Sequence, residues 1–159
     1  MWKKAAIVSF ALWIASVGFI IYKIQYGNAV MVDKRMEISL LPEERQLVLG
    51  EMRSLLAGLK GIIQGLSTED FEWVKKSAIG NGMGMAQDIN PALIAKLPMS
   101  FKAMGMGVHK SFDELAAKIP GATSKEILKE VDVIMSSCVA CHSIFKITEK
   151  SGGTIAPPS

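Results

Sequence analysis

Cys138-Val139-Ala140-Cys141-His142 places two thiols and an imidazole within five consecutive residues. Two cysteines three apart, followed at once by histidine, form the attachment pattern of c-type haem. Each thiol can add to one vinyl group of the macrocycle, and the imidazole can bind the iron. The chain has only two cysteines and two histidines, and three of these four residues lie in this one segment. A dithiol redox pair would sit in a strand–helix–strand context, which the surrounding sequence lacks. A zinc site would need two further protein ligands, and His109 is the only other histidine. The chemistry expected is therefore one covalently attached haem c, with His142 as an iron ligand.

All three groups must point the same way, and a helix does this for positions i, i+3 and i+4. The sequence supplies such a helix. Thr123-Ser124-Lys125-Glu126 has the form of a capping box. Leu128, Val131, Met135, Cys138, Cys141, His142 and Phe145 then follow along one helical face. Three further amphipathic helices are expected before it. Leu41-Pro42-Glu43-Glu44 reads as a helix start, with proline in the first turn and acids at the positive end of the dipole. Val48, Met52, Leu55, Leu59, Ile62 and Leu66 continue it as an apolar stripe ending near Gly65 and Ser67. A second helix starts after Ser67-Thr68-Glu69-Asp70 and carries Phe71, Val74 and Ala78. The glycines at 80, 82 and 84 break it. After a short turn or helix from Asn90-Pro91 to Lys96, Leu97-Pro98 opens a third helix through Phe101, Met104, Val108, Phe112, Leu115 and Ile119, and Pro120-Gly121 stops it. No segment shows convincing strand alternation. The expected fold is all-α, an antiparallel four-helix bundle preceded by one transmembrane helix.

The transmembrane expectation rests on Ala5 to Tyr22, eighteen residues without a charge, or about 27 Å as helix. Trp2, Trp13, Tyr22 and Tyr26 suit interfacial anchoring, although Trp13 falls mid-span. A signal peptide cleaved near Gly27-Asn28-Ala29 is the competing reading, but this apolar run is longer than the usual signal core. Lys3, Lys4 and Lys23 are the only charges in residues 1–32, and the other 15 basic residues balance the 15 acids. The basic balance thus belongs to the leader and gives no sign of a nucleic-acid surface. Lys3 and Lys4 ahead of the span orient it with the N-terminus in the cytoplasm. The chain divides into an anchor or signal at 1–27, a linker at 28–40, a haem domain at 41–148 and a flexible tail at 149–159. The domain is expected on the periplasmic side of the inner (cytoplasmic) membrane, where haem c is matured.

A helical bundle with Cys138-x-x-Cys141-His142-x-x-Phe145-Lys146 on its last helix resembles the cytochrome c-prime family. Arg45-Gln46 on the first bundle helix is similar to that family's Arg-Gln pair. The resemblance covers about residues 38–148. It implies cofactor contacts at Phe145 and Lys146, and it admits a homodimer, since members of the family often pair. Counted four residues on from Arg45, it selects Leu49 as an apolar residue opposite His142. The iron would then be five-coordinate and open to NO or a related diatomic gas. A second pattern, Met52-x-x-Leu55-x-x-x-Leu59, resembles the first helix of soluble b-type cytochrome bundles. It implies Met52 as the sixth iron ligand, a closed iron and electron transfer.

The reading that follows is a membrane-anchored monohaem cytochrome. It would exchange one electron with a membrane-associated redox partner, and it is not an enzyme. Gas binding, and service as a haem subunit of a respiratory or photosynthetic complex, are the alternatives. Weaker candidates are His109, beside the third helix's apolar stripe, and the cluster Met83, Met85, Met99, Met104 and Met106. His109 is expected at the surface or core edge rather than as an iron ligand or propionate partner, and the methionines in core and loop packing rather than as Cu(I) ligands. Gly105 and Gly107 would let the third helix approach the haem or a partner closely.

Overall fold

A computed structural model of the chain describes residues 2–87 and 90–150. Helix α1, Trp2–Tyr26, contains the apolar run. Strands β1, Ala29–Val32, and β2, Arg35–Leu40, follow, and then helices α2, Pro42–Ser67, and α3, Phe71–Ile79. A 3-10 turn at Met83–Ala86 and the short helix α4, Pro91–Ile94, lead to α5, Met99–Lys118, and α6, Ser124–Ile144. Strand β3, Phe145–Glu149, ends the described chain. The expected tail falls mostly on residues 151–159, outside the described residues.

The fold is mostly helical, with one N-terminal apolar helix, but it is not all-α. Residues 28–40 are not a linker. They hold a hairpin whose two-residue turn places Asp33 and Lys34 at φ 58° and 61°. A two-residue turn with positive φ at both centres matches the twist of antiparallel strands, and aspartate tolerates that conformation. Arg35 closes the turn by donating to Asp33 at 2.9 Å. β2 then pairs in parallel with β3, Met36 opposite Phe145 and Ile38 opposite Ile147. Both strands alternate. Met36, Ile38 and Leu40 are separated by Glu37 and Ser39, and Phe145 and Ile147 by Lys146. Such alternation faces one row of side chains into the core.

The last helix accordingly stops at Ile144, earlier than the expected boundary at 148. Phe145 has extended backbone, φ −116° and ψ 149°, and its amide still donates to the Cys141 carbonyl. Phe145 and Lys146 therefore leave the haem-motif helix and become strand residues. The buried stripe of α6 is also offset by one position, through Ile127, Val131 and Ile134. Leu128 and Met135 are exposed.

Two apolar clusters hold the domain. The larger joins Leu59 and Ile62 of α2, Val74 and Ala78 of α3, Val108, Phe112 and Leu115 of α5, and Ile127, Val131 and Ile134 of α6. The periodicity of these helices predicts most of its members. Gly65, inside α2, lets α3 approach: a Cβ there would stand 2.9 Å from the Asp70 carbonyl oxygen. The second cluster lies at the sheet end and gathers Ile38, Leu40, Val48, Leu93, Leu97, Phe101 and Phe145. Phe101 and Phe145 meet edge to face, with centroids 5.4 Å apart. Phe145→Ala should lower unfolding stability by about 3–5 kcal/mol, the usual cost of truncating a buried phenylalanine. Denaturant unfolding followed by circular dichroism measures this.

Candidate haem attachment site

The capping box starting α6 forms as its residue types require. Glu126 accepts hydrogen bonds from the Thr123 amide at 2.8 Å and hydroxyl at 2.7 Å. The helix is thereby fixed from its first turn. Twenty-one residues later it ends, with Cys138, Cys141 and His142 in its last two turns. Both thiols are free and half-buried, and His142 is exposed. His142 stands two residues from the helix end, closer than the six expected, because β3 takes over the chain at Phe145.

Burial pushes both thiols above their ordinary pKa, and Cys138 beside Cys141 adds to the shift of the latter. Neither is depressed by a neighbouring cation, as the thiolate of a dithiol oxidoreductase would be. Among the described residues, no three or more His, Cys, Asp or Glu side chains come together to hold a metal ion. Zinc would lack its remaining protein ligands.

The surroundings suit a flat apolar cofactor. α2 packs on α3, α3 on α5 and α5 on α6, and the larger core cluster holds residues of both α2 and α6. Gly58, Gly61 and Gly65 mark the flank of α2 that meets α3. At 3.6 residues per turn, Arg45, Leu49, Met52, Leu56 and Ile63 fall on the other side. Leu56 and Ile63 are exposed there. On α6, Leu128, Met135, Val139 and His142 share a flank and are likewise exposed. α2 starts and α6 ends at the sheet, so the two helices run antiparallel. Exposed large apolar side chains on both are the kind of surface that a ligand or partner covers.

Arg45 supplies a second, independent sign. Arg45 is half-buried, and its Nε is buried with no hydrogen-bond partner among the described residues. An unpartnered buried guanidinium donor is rare and calls for an acceptor. A haem carboxylate is an acceptor of the right charge. The two thiols, the imidazole and the Arg45 guanidinium are of the types that could hold haem c.

The two candidates opposite His142 differ in placement. Met52 packs against the sheet-end cluster, as do Cys141 and Met104. Leu49 is half-buried and is not a member of that cluster. Lys146 is half-buried in β3, opposite Glu37. Among the described residues, no atom lies within 4 Å of a Cβ built at Gly105 or Gly107.

His109 has a structural task that sequence reasoning missed. It is 3% exposed. Its Nδ1 lies 2.8 Å from the Asn81 carbonyl and its Nε2 3.0 Å from Glu51. Two acceptors facing both ring nitrogens favour the doubly protonated ring and leave no lone pair for iron. The Glu51 hydrogen bond raises its pKa, burial opposes the rise, and the Asn81 carbonyl adds to it. The i, i+4 pattern placed His109 beside a core stripe, but its partners come from α2 and from the turn after α3. No local signal marks them.

No protein-family model, curated protein or solved structure matches this chain.

A group whose folded pKa is raised stabilises the fold fully below its unfolded pKa, about 6.5 for histidine. That stability is lost as pH rises through the folded value. The melting temperature should therefore fall as pH is raised from mildly acidic to alkaline. In Glu51→Gln the fall should begin at lower pH, because the main cause of the raised pKa is removed. Thermal melts across pH, compared between the two proteins, check this.

Proposed function

We propose that the chain is a membrane-anchored monohaem c-type cytochrome that passes one electron to or from a membrane-associated redox partner. In this reading α2, α3, α5 and α6 act as a four-helix bundle, with the domain on the periplasmic side. The observation that carries it is Cys138, Cys141 and His142 on the last two turns of α6, at the end of the domain where α2 starts with Arg45, whose buried Nε has no partner among the described residues. The 25-residue helix α1, of mean hydropathy 2.2, supports the anchor.

Each residue has a separate task. Cys138 and Cys141 would hold the group by thioether bonds. His142 and Met52 would hold the iron, and Met135 and Val139, within two turns of His142 on α6, would help keep water from the group. Arg45 would offset carboxylate charge. A bound haem supplies the reversible one-electron couple, and the protein contributes ligation and a dry setting. One electron enters and later leaves, with no bond made or broken in a substrate.

A second reading keeps the haem and changes its work. With Leu49 in place of Met52 across from His142, the iron is open and the function is binding of NO or a related gas. Leu49 lies on the same flank of α2, and its side chain cannot ligate.

Cys138→Ala with Cys141→Ala should leave no haem on the chain after denaturing electrophoresis. Retention of covalent haem by that double variant would sink the assignment. The wild type should be low-spin, with a weak near-infrared sulfur-to-iron band. Met52→Ala should abolish the band, lower the potential and admit CO. A high-spin, CO-binding wild type whose spectrum ignores Met52→Ala would instead select the gas-binding reading.

A further inference from the structure

The join between α1 and the domain is unusually short and tightly packed. Only Gly27 and Asn28 separate Tyr26, the last residue of α1, from Ala29, the first of β1. Three Cα steps span at most about 11 Å. Gly27 is buried and has φ +58°, and a Cβ there would stand 2.3 Å from the Lys96 carbonyl oxygen. Only glycine combines that conformation with that contact. The Asn28 amide donates to the same carbonyl at 3.0 Å. Lys23, on the last turn of α1, donates to the Asn28 side chain at 3.0 Å. Lys96 in turn pairs through its ammonium group with Glu44, on the first turn of α2. One residue thus ties the end of the apolar helix to β1, to the start of α5 and to the start of α2.

The rest of α1 is exposed, with no buried residue. It leaves the domain at the sheet end, and that end carries the haem motif: β3 begins three residues after His142. The surface there is also apolar. Val30 of β1, Leu41 between β2 and α2, Met99 at the start of α5 and Ile144 at the end of α6 are all exposed. The turn at the opposite end, between α2 and α3, is Ser67, Thr68, Glu69 and Asp70. Tyr22, Lys23 and Tyr26 on the last turns of α1 are of the types that sit at headgroup level.

We propose that the sheet end of the domain rests on the bilayer surface, with Val30, Leu41, Met99 and Ile144 in the headgroup region, held there by the joint at Gly27. This rests on reading α1 as a membrane span. Joined to the cytochrome reading, it sets the haem close to the lipid, where a bilayer-soluble or membrane-embedded electron partner reaches it by a shorter path than a soluble one.

Nitroxide labels on the full, haem-loaded chain in phosphatidylcholine–phosphatidylglycerol nanodiscs test the placement. One label goes on Leu41→Cys and another on Glu69→Cys. In a parallel series, native Cys138 and Cys141 are changed to Ser, so that the result does not require haem. The ratio of oxygen to nickel-chelate collisions should be several-fold higher at position 41 than at 69. Insertion of a Gly-Ser linker after Tyr26 should bring the two ratios together. Equal, water-like ratios in the uninserted protein overturn the proposal and leave the cytochrome reading standing. A lipid-like ratio at position 41 on a chain that never acquires haem does the reverse. A lipid-like ratio that survives the linker shows that the apolar end binds lipid without the joint, and overturns the joint's role.

Discussion

Parallel pairing of β2 with β3 is the contact on which the arrangement depends. It joins Met36 to Phe145, across most of the domain's length. β2 runs directly into α2, and β3 leaves directly from α6. The pairing therefore sets the start of one helix beside the end of the other, and Met52 of α2 and Cys141 of α6 pack against the same cluster. Closing so long a loop costs conformational entropy that rises slowly with length. Burial of Ile38, Leu40 and Phe145 at the sheet end offsets it.

The helices themselves close only part of the way round. Glycines on α2 admit α3 on one flank, while the other flank keeps large apolar side chains. A helix built only for its own core would place polar residues there. The same mismatch between apolar character and exposure recurs on α6. In polar terms it is matched by the buried Arg45 Nε, which has no acceptor among the described residues.

The buried polar group that is satisfied tells the complementary story. His109 has acceptors at both ring nitrogens and spans α2, α5 and the turn after α3. It holds the glycine-rich turn where a helix could not continue. Its cationic form is favoured by the Glu51 hydrogen bond, with burial opposing.

The sequence alone determined that Cys138, Cys141 and His142 lie together near the end of one helix, because they are adjacent and helical periodicity needs no distant residues. It likewise determined α1, the helix boundaries around Pro42 and Thr123, and most of the larger core, all of which are local in pattern. The tertiary structure decided what depends on partners far along the chain. Residues 28–40 became a hairpin, and 145–149 a strand, because each is too short to be stable alone and pairs across more than a hundred residues. That same pairing shortened α6, moved Phe145 and Lys146 off the helix, and placed Met52 rather than Leu49 in the cluster that Cys141 packs against. Gly27 read as a cleavage position and became a buried joint, because the carbonyl it rests on belongs to Lys96, and only the folded chain brings the two together.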